Sequence, residues 1–233
     1  GEGRRFGEGV AILVGDLAFV YADILLAGAP PDAAEVFAQL RIEVNVGQYL
    51  DLLGTVRGDV GLDQARRISR YKSGMYTVER PLHLGAALAG RLDQLAAPLS
   101  AFGGPLGEAF QLRDELLGAF GDPAVTGKPV GQDLREGKPT TLLAFAVAAA
   151  DAASAKLLAD RFGAPDLTPA EVAELQTILE RTGARVRVEA AIQELLSEAL
   201  AALDVAPFVD GPGGRLARQQ LAELAYFAAG RDH

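Results

Sequence analysis

Two adjacent carboxylates, Asp114 and Glu115, sit on an apolar helical run that ends at Gly121-Asp122-Pro123. A loop rich in Gly, Pro and Lys follows at once, Thr126-Gly127-Lys128-Pro129-Val130-Gly131-Gln132-Asp133-Leu134-Arg135-Glu136-Gly137-Lys138. Carboxylate oxygens suit a hard divalent cation. Glycine lets backbone N–H groups approach an anion, and an ammonium group such as that of Lys128 or Lys138 neutralises phosphate charge. Together these residue types can handle a diphosphate. The loop is not a Walker A sequence, because its spacing differs and no strand precedes it. Gln111 lies three residues before Asp114 and shares its helix face.

Two further polar clusters interrupt apolar helices. Glu43, Asn45, Gln48 and Asp51 fall within one helical run, with Gln48 and Asp51 on one face and Leu40, Val44 and Leu52 on another. Tyr71-Lys72-Ser73-Gly74 breaks a second run and places Lys72 and Tyr76 at i,i+4. Each cluster alone is what the solvated face of an amphipathic helix looks like. Asp16 and Asp23 on a mostly apolar helix need partners if they are buried. His83 reads as a packed or surface histidine and not as a base.

Composition narrows the chemistry. The chain has 233 residues, no Cys and two His, so thiolate catalysis, disulfides and Cys- or His-based metal sites are excluded and any metal must be held by carboxylates. Lys and Arg number 22 against 31 Asp and Glu, for a net charge of −9 and a pI near 4.8. Overall attraction to nucleic acid or an anionic membrane is therefore not expected. No signal peptide or membrane span is read from the sequence, the longest apolar run being placed at 142–150, and this points to a cytoplasmic protein. The only Met is Met75, so Gly1 is not a translation start and residues are expected to precede it.

The elements that position these groups read as helices throughout. Helices are expected at 8–27, 33–53, 62–79, 82–95, from Pro98 to about 121, and at 140–162, 169–203 and 213–229, with an ordered loop at 123–139. The 8–27 segment is apolar almost all round, which predicts burial on several sides. One all-α domain spanning 1–233 is the expectation.

Taken in order, the clusters resemble the trans-polyprenyl diphosphate synthases of the geranylgeranyl and farnesyl diphosphate type. Ala11-Ile-Leu-Val-Gly-Asp16 is similar to that family's AILxGD helix, Gly47-Gln48-x-x-Asp51 to its GQxxD element, and Tyr71-Lys72-Ser73-Gly74 to its Lys-Thr helix break. Phe110-Gln111-x-x-Asp114-Glu115 resembles the start of the second aspartate-rich motif, and Gly127-Lys128-Pro-x-Gly-x-Asp133-Leu-x-x-Gly137-Lys138 the loop after it.

The resemblance implies an antiparallel helical bundle around a cavity, paired as a homodimer. It also implies Mg²⁺-assisted condensation of an allylic diphosphate with isopentenyl diphosphate. Asp114, with Glu115 assisting, is implied as metal ligand, and Lys72 and Lys128 as contacts to the allylic diphosphate. Gln111 belongs with these catalytic groups, and Gln48, Asp51, Ser73 and Lys138 with substrate binding.

Two departures stand out. The second motif reads Asp114-Glu115-Leu-Leu-Gly118 in place of DDxxD, and no first DDxxD motif occurs in the 233 residues. The expectation is that this motif and the helices bearing it lie upstream of Gly1. A non-catalytic partner subunit and a terpene cyclase on the same fold are the alternatives.

Overall fold

The computed structural model describes residues 1–57, 61–127 and 129–230, and among these every regular element is a helix. The order is α1 (Glu2–Leu26), α2 (Pro31–Arg57), α3 (Leu62–Ser69), a π-helical segment (Arg70–Glu79), α4 (Arg80–Leu88), α5 (Leu92–Phe120), α6 (Pro123–Thr126), α7 (Gln132–Glu136), α8 (Thr141–Ala149), α9 (Ala152–Arg161), α10 (Pro169–Arg181), α11 (Ala184–Val205) and α12 (Pro212–Ala229).

Local chemistry accounts for the boundaries. Thr168 caps α10 in a full capping box with Glu171, and Pro169 occupies its first turn. The expected 140–162 helix is two: Ala150 is extended, and the Asp151 side chain accepts from Ser154 N to start α9. The expected 169–203 helix likewise breaks at Gly183, whose φ of 74° stops α10 and starts α11. The 123–139 loop contains the short helices α6 and α7. In the opposite direction, α5 runs straight through Pro98 and Gly103-Gly104, where punctuation was expected, and through Pro105 as well. Packing overrides propensity there, because Leu99, Phe102 and Leu106 around the two prolines are 5% exposed or less.

The core lies around α5. Its most extensive contact is with α11, and Phe102, Leu106 and Leu112 pack with Leu179, Val188, Ile192 and Leu203 in one continuous apolar cluster. Arg113 is buried beside them. Its Nη1 and Nη2 donate to the two carboxylate oxygens of Glu189 on α11 at 3.0 and 2.8 Å, and its Nε donates to the Ala229 carbonyl at the end of α12 at 2.8 Å. Such a fork fixes the rotation of α5 about its axis.

The expectation for the first helix is corrected in two ways. No residue of α1 is buried, although Ile12, Leu13, Val14, Val20 and Ile24 are each 52% exposed or more. It is linked to α2, where Arg41 pairs with Asp23 at 2.7 Å and lies over the Phe19 ring. A helix apolar on all sides is buried only where neighbours exist to cover it, and among the described residues none surrounds α1. The longest apolar run is also here and not at 142–150. By length and composition α1 could cross a membrane, with a mean hydropathy of 2.0 over 18 residues.

A second polar network joins α2, α4 and α5. Arg80 Nε and Nη2 donate to Glu43 at 2.7 and 2.8 Å, and Arg80 Nη1 lies 2.9 Å from His83 Nδ1. Arginine can only donate, so His83 Nδ1 is the acceptor and its proton sits on Nε2, 3.0 Å from the Ala96 carbonyl. Ser100 donates to Glu79 at 2.8 Å. Burial lowers the His83 pKa, the Ala96 carbonyl opposes this, and the Arg80 charge adds to the lowering. Burial pulls Glu43 the other way, but its bonds from Arg80 and Gln39 outweigh that and leave its pKa lowered.

A histidine whose folded pKa lies below its unfolded value of 6.5 contributes its full stability above that pH. The contribution is lost as pH falls toward the folded value. The melting temperature should therefore fall between pH 7 and about 5.5 more steeply in the wild type than in His83→Gln, as read by circular dichroism. The Glu43 contribution should fail separately, below its ordinary value of 4.5.

Candidate active site

Close backbone approach builds the site. A Cβ on Gly47 of α2 would lie 2.3 Å from Lys72 N, and one on Gly107 of α5 would lie 2.6 Å from the Gly74 carbonyl oxygen. The π segment is thus pressed between α2 and α5 by glycine on both sides, and Lys72 is delivered to the space between them. Gly103 makes a similar approach to Glu79, whereas Gly104 has nothing near it. The wider π turn falls at the Lys72-Ser73-Gly74 break.

A cavity of about 90 Å³ opens at this crossing and is lined by Asp51, Lys72, Ser73, Gln111, Asp114, Glu115, Asp133 and Lys138, among others. Seven of the sequence-derived residues meet there. Gln48 is exposed on α2 and does not line it. Lys128 lies outside the described residues. A larger hollow of about 440 Å³ adjoins behind Pro139, with Leu143, Leu158 and Phe162 among its walls. Among the described residues its only charged lining group is Glu136, so an anion has no reason to settle in it.

Both ammonium groups of the smaller cavity are paired. Lys72 Nζ lies 2.6 Å from Asp51 Oδ2, and Lys138 Nζ lies 2.5 Å from Asp133 Oδ1 and 2.9 Å from Glu136 Oε2. Burial lowers the Lys138 pKa, but the hydrogen bonds to Asp133 and Glu136 outweigh it and raise the group well above its ordinary range. Burial raises Asp133, Lys138 opposes this, and the charge of Asp114 adds to it. Glu115 is 3% exposed and accepts from Leu142 N at 3.2 Å, at the start of α8. Burial pushes its pKa up to about 8, against the backbone N–H groups of Leu142 and Thr141 and with the charges of Asp133 and Asp114. Glu115 therefore ties α5 to the N-terminus of α8 as well as lining the cavity.

Asp133 is the group that reading the sequence did not select, and its signal was Gly118. A Cβ at Gly118 would fall 2.1 Å from Asp133 Oδ2. Glycine at the fifth place of the aspartate motif leaves room for a carboxylate arriving from the loop. Among the described residues no three carboxylates are grouped so as to hold a metal ion, and Asp114, Glu115 and Asp133 line the cavity without forming such a cluster.

The sequence model of the family described as Polyprenyl synthetase matches residues 3–180. The chain belongs to that family. It is 32% identical to a geranylgeranyl diphosphate synthase of Mycobacterium tuberculosis over 85% of this chain, and 30% identical to a geranylfarnesyl diphosphate synthase of Aeropyrum pernix over 91% of it. These matches cover 58% and 68% of the two relatives. A geranylgeranyl pyrophosphate synthase from Corynebacterium glutamicum, solved in complex with isoprenyl diphosphate and magnesium, superposes with a TM-score of 0.90 at 39% identity. That match covers 97% of this chain and 64% of the other. The all-α isoprenoid-synthase fold expected from sequence is thus borne out, on a chain that spans 58% of the Mycobacterium relative's length.

Gly118→Ala should displace Asp133 and its Lys138 partner. The expected cost is about 1–3 kcal/mol in urea unfolding, the range for overpacking a closed site. An unchanged midpoint would show that the loop yields freely.

Proposed function

We propose that the protein is a prenyltransferase that condenses an allylic diphosphate with isopentenyl diphosphate to give a longer all-trans polyprenyl diphosphate. The observation that carries this reading is the convergence of Asp51, Lys72, Ser73, Gln111, Asp114, Glu115 and Lys138 on one cavity. The names of the relatives as geranylgeranyl and geranylfarnesyl diphosphate synthases support it. So does the ligand of the Corynebacterium protein.

In the reaction, the allylic C–O bond breaks and its electron pair leaves with pyrophosphate. The double bond of isopentenyl diphosphate then forms the new C–C bond, and a proton is lost. The work of the chain is electrostatic. Lys72 and Lys138 neutralise the departing phosphate oxygens, Lys128 belongs with them by sequence, and Ser73 and Gln111 offer hydrogen bonds beside them. Magnesium, when bound, supplies further charge neutralisation at the leaving group. Asp114 would be its ligand in this reading with Glu115 assisting, and Asp133 lines the same cavity. Gln48 and Asp51 belong to the substrate-binding side, Asp51 through its hold on Lys72.

The same reading makes the chain one isoprenoid-synthase-like domain of a cytoplasmic homodimer. A second copy would cover the exposed apolar residues of α1 together with Ile42, Tyr49 and Leu52 of α2. In sedimentation velocity the protein should run as a dimer, and Leu13→Asp should shift it toward monomer.

Chemistry is tested directly. With labelled isopentenyl diphosphate, Asp114→Ala should lower kcat by about 10²-fold or more, the scale for losing one preorganised electrostatic group. Magnesium and inorganic pyrophosphate added together should raise the melting temperature of the wild type. No shift in the wild type would remove the basis for this function.

A further inference from the structure

The geometry points to Asp51 as an internal counter-anion that withholds Lys72 from anions arriving without a divalent cation. It rests on the diphosphate reading above and adds a source of selectivity to it. Lys72 Nζ and Asp51 Oδ2 are 2.6 Å apart, bridging the π segment and α2. Their side chains are 32% and 16% exposed, so the pair is shielded more than a surface ion pair but not sealed from solvent. The backbone of Lys72 cannot retreat from α2, since Gly47 meets it at a separation that leaves no room even for a Cβ. Lys72 can change partners only by swinging its side chain.

Four carboxyl groups line the cavity, Asp51, Asp114, Glu115 and Asp133, against the two ammonium groups of Lys72 and Lys138. Lys138 is held by Asp133 and Glu136 in the same manner. A bare phosphate or pyrophosphate entering here meets carboxylates and must first displace Asp51 from Lys72. Removing the negative charge of Asp51 while keeping its shape should release the ammonium to such an anion. This gives Asp51 a specificity role exerted through Lys72, distinct from any contact of its own with substrate.

The test is isothermal titration calorimetry with inorganic pyrophosphate, once with a chelator present and once with magnesium. Asp51→Asn should bind metal-free pyrophosphate about fivefold more tightly than the wild type, the scale of a partly shielded ion pair. The gain should shrink in magnesium. In a Lys72→Met background the Asp51→Asn gain should vanish, because a general relief of negative charge would survive that change and an ion-pair effect would not. If Asp51→Asn misfolds, Asp51→Ser reports the same quantity.

Equal or weaker metal-free binding by the Asp51 variants, with magnesium-dependent binding intact in the wild type, overturns the role of Asp51 alone. Absence of pyrophosphate binding in the wild type under both conditions overturns the diphosphate reading and this inference with it.

Discussion

The distance between three backbones governs this structure. Glycine at 47, 74 and 107 lets α2, the π segment and α5 approach until main-chain atoms are in contact. A methyl group at Gly47 or Gly107 would collide with backbone, which has no flexible end to move aside. Everything that makes the cavity chemical depends on that spacing. Lys72 reaches Asp51 across one junction, and Gln111 and Asp114 face the same space from the other.

Charge is managed differently on the two sides of α5. Toward the core, Arg113 is enclosed and satisfied by Glu189 and a helix-terminal carbonyl, so a buried cation is offset by fixed partners. Toward the cavity, the lysines hold carboxylates that remain partly accessible to solvent. The first arrangement serves rigidity. The second keeps ammonium groups in place while leaving them able to change partners. Glu115 stands between the two, buried like Arg113 but anchored to the start of α8.

Much of this was legible in the chain because the clues were local. Helical periodicity and punctuation gave the all-α class, and five short polar elements in order gave the family. What escaped depended on tertiary contacts. Burial of α1 was inferred from its apolar girth, yet burial is a property of neighbours and the chain places few beside it. Pro98 and Gly103-Gly104 read as punctuation, but the core packed around α5 holds the helix through them. Asp133 was hidden for the same reason: its relation to Gly118 spans the turn between α5 and α7 and appears only when the two are brought together. Capping residues marked the breaks at 150 and 183, though without strong enough periodic contrast to separate the flanking helices.

The Arg113 fork carries a consequence for biosynthesis. Its acceptors at Glu189 and Ala229 are 76 and 116 residues downstream, so the ribosome must add α11 and α12 before the helix bearing Asp114 is fully locked in rotation. A nascent chain that has emerged only as far as α8 would display its carboxylates on an unanchored rod. The final rotation of that helix is thus a late event in synthesis, completed only after residue 229 has been added.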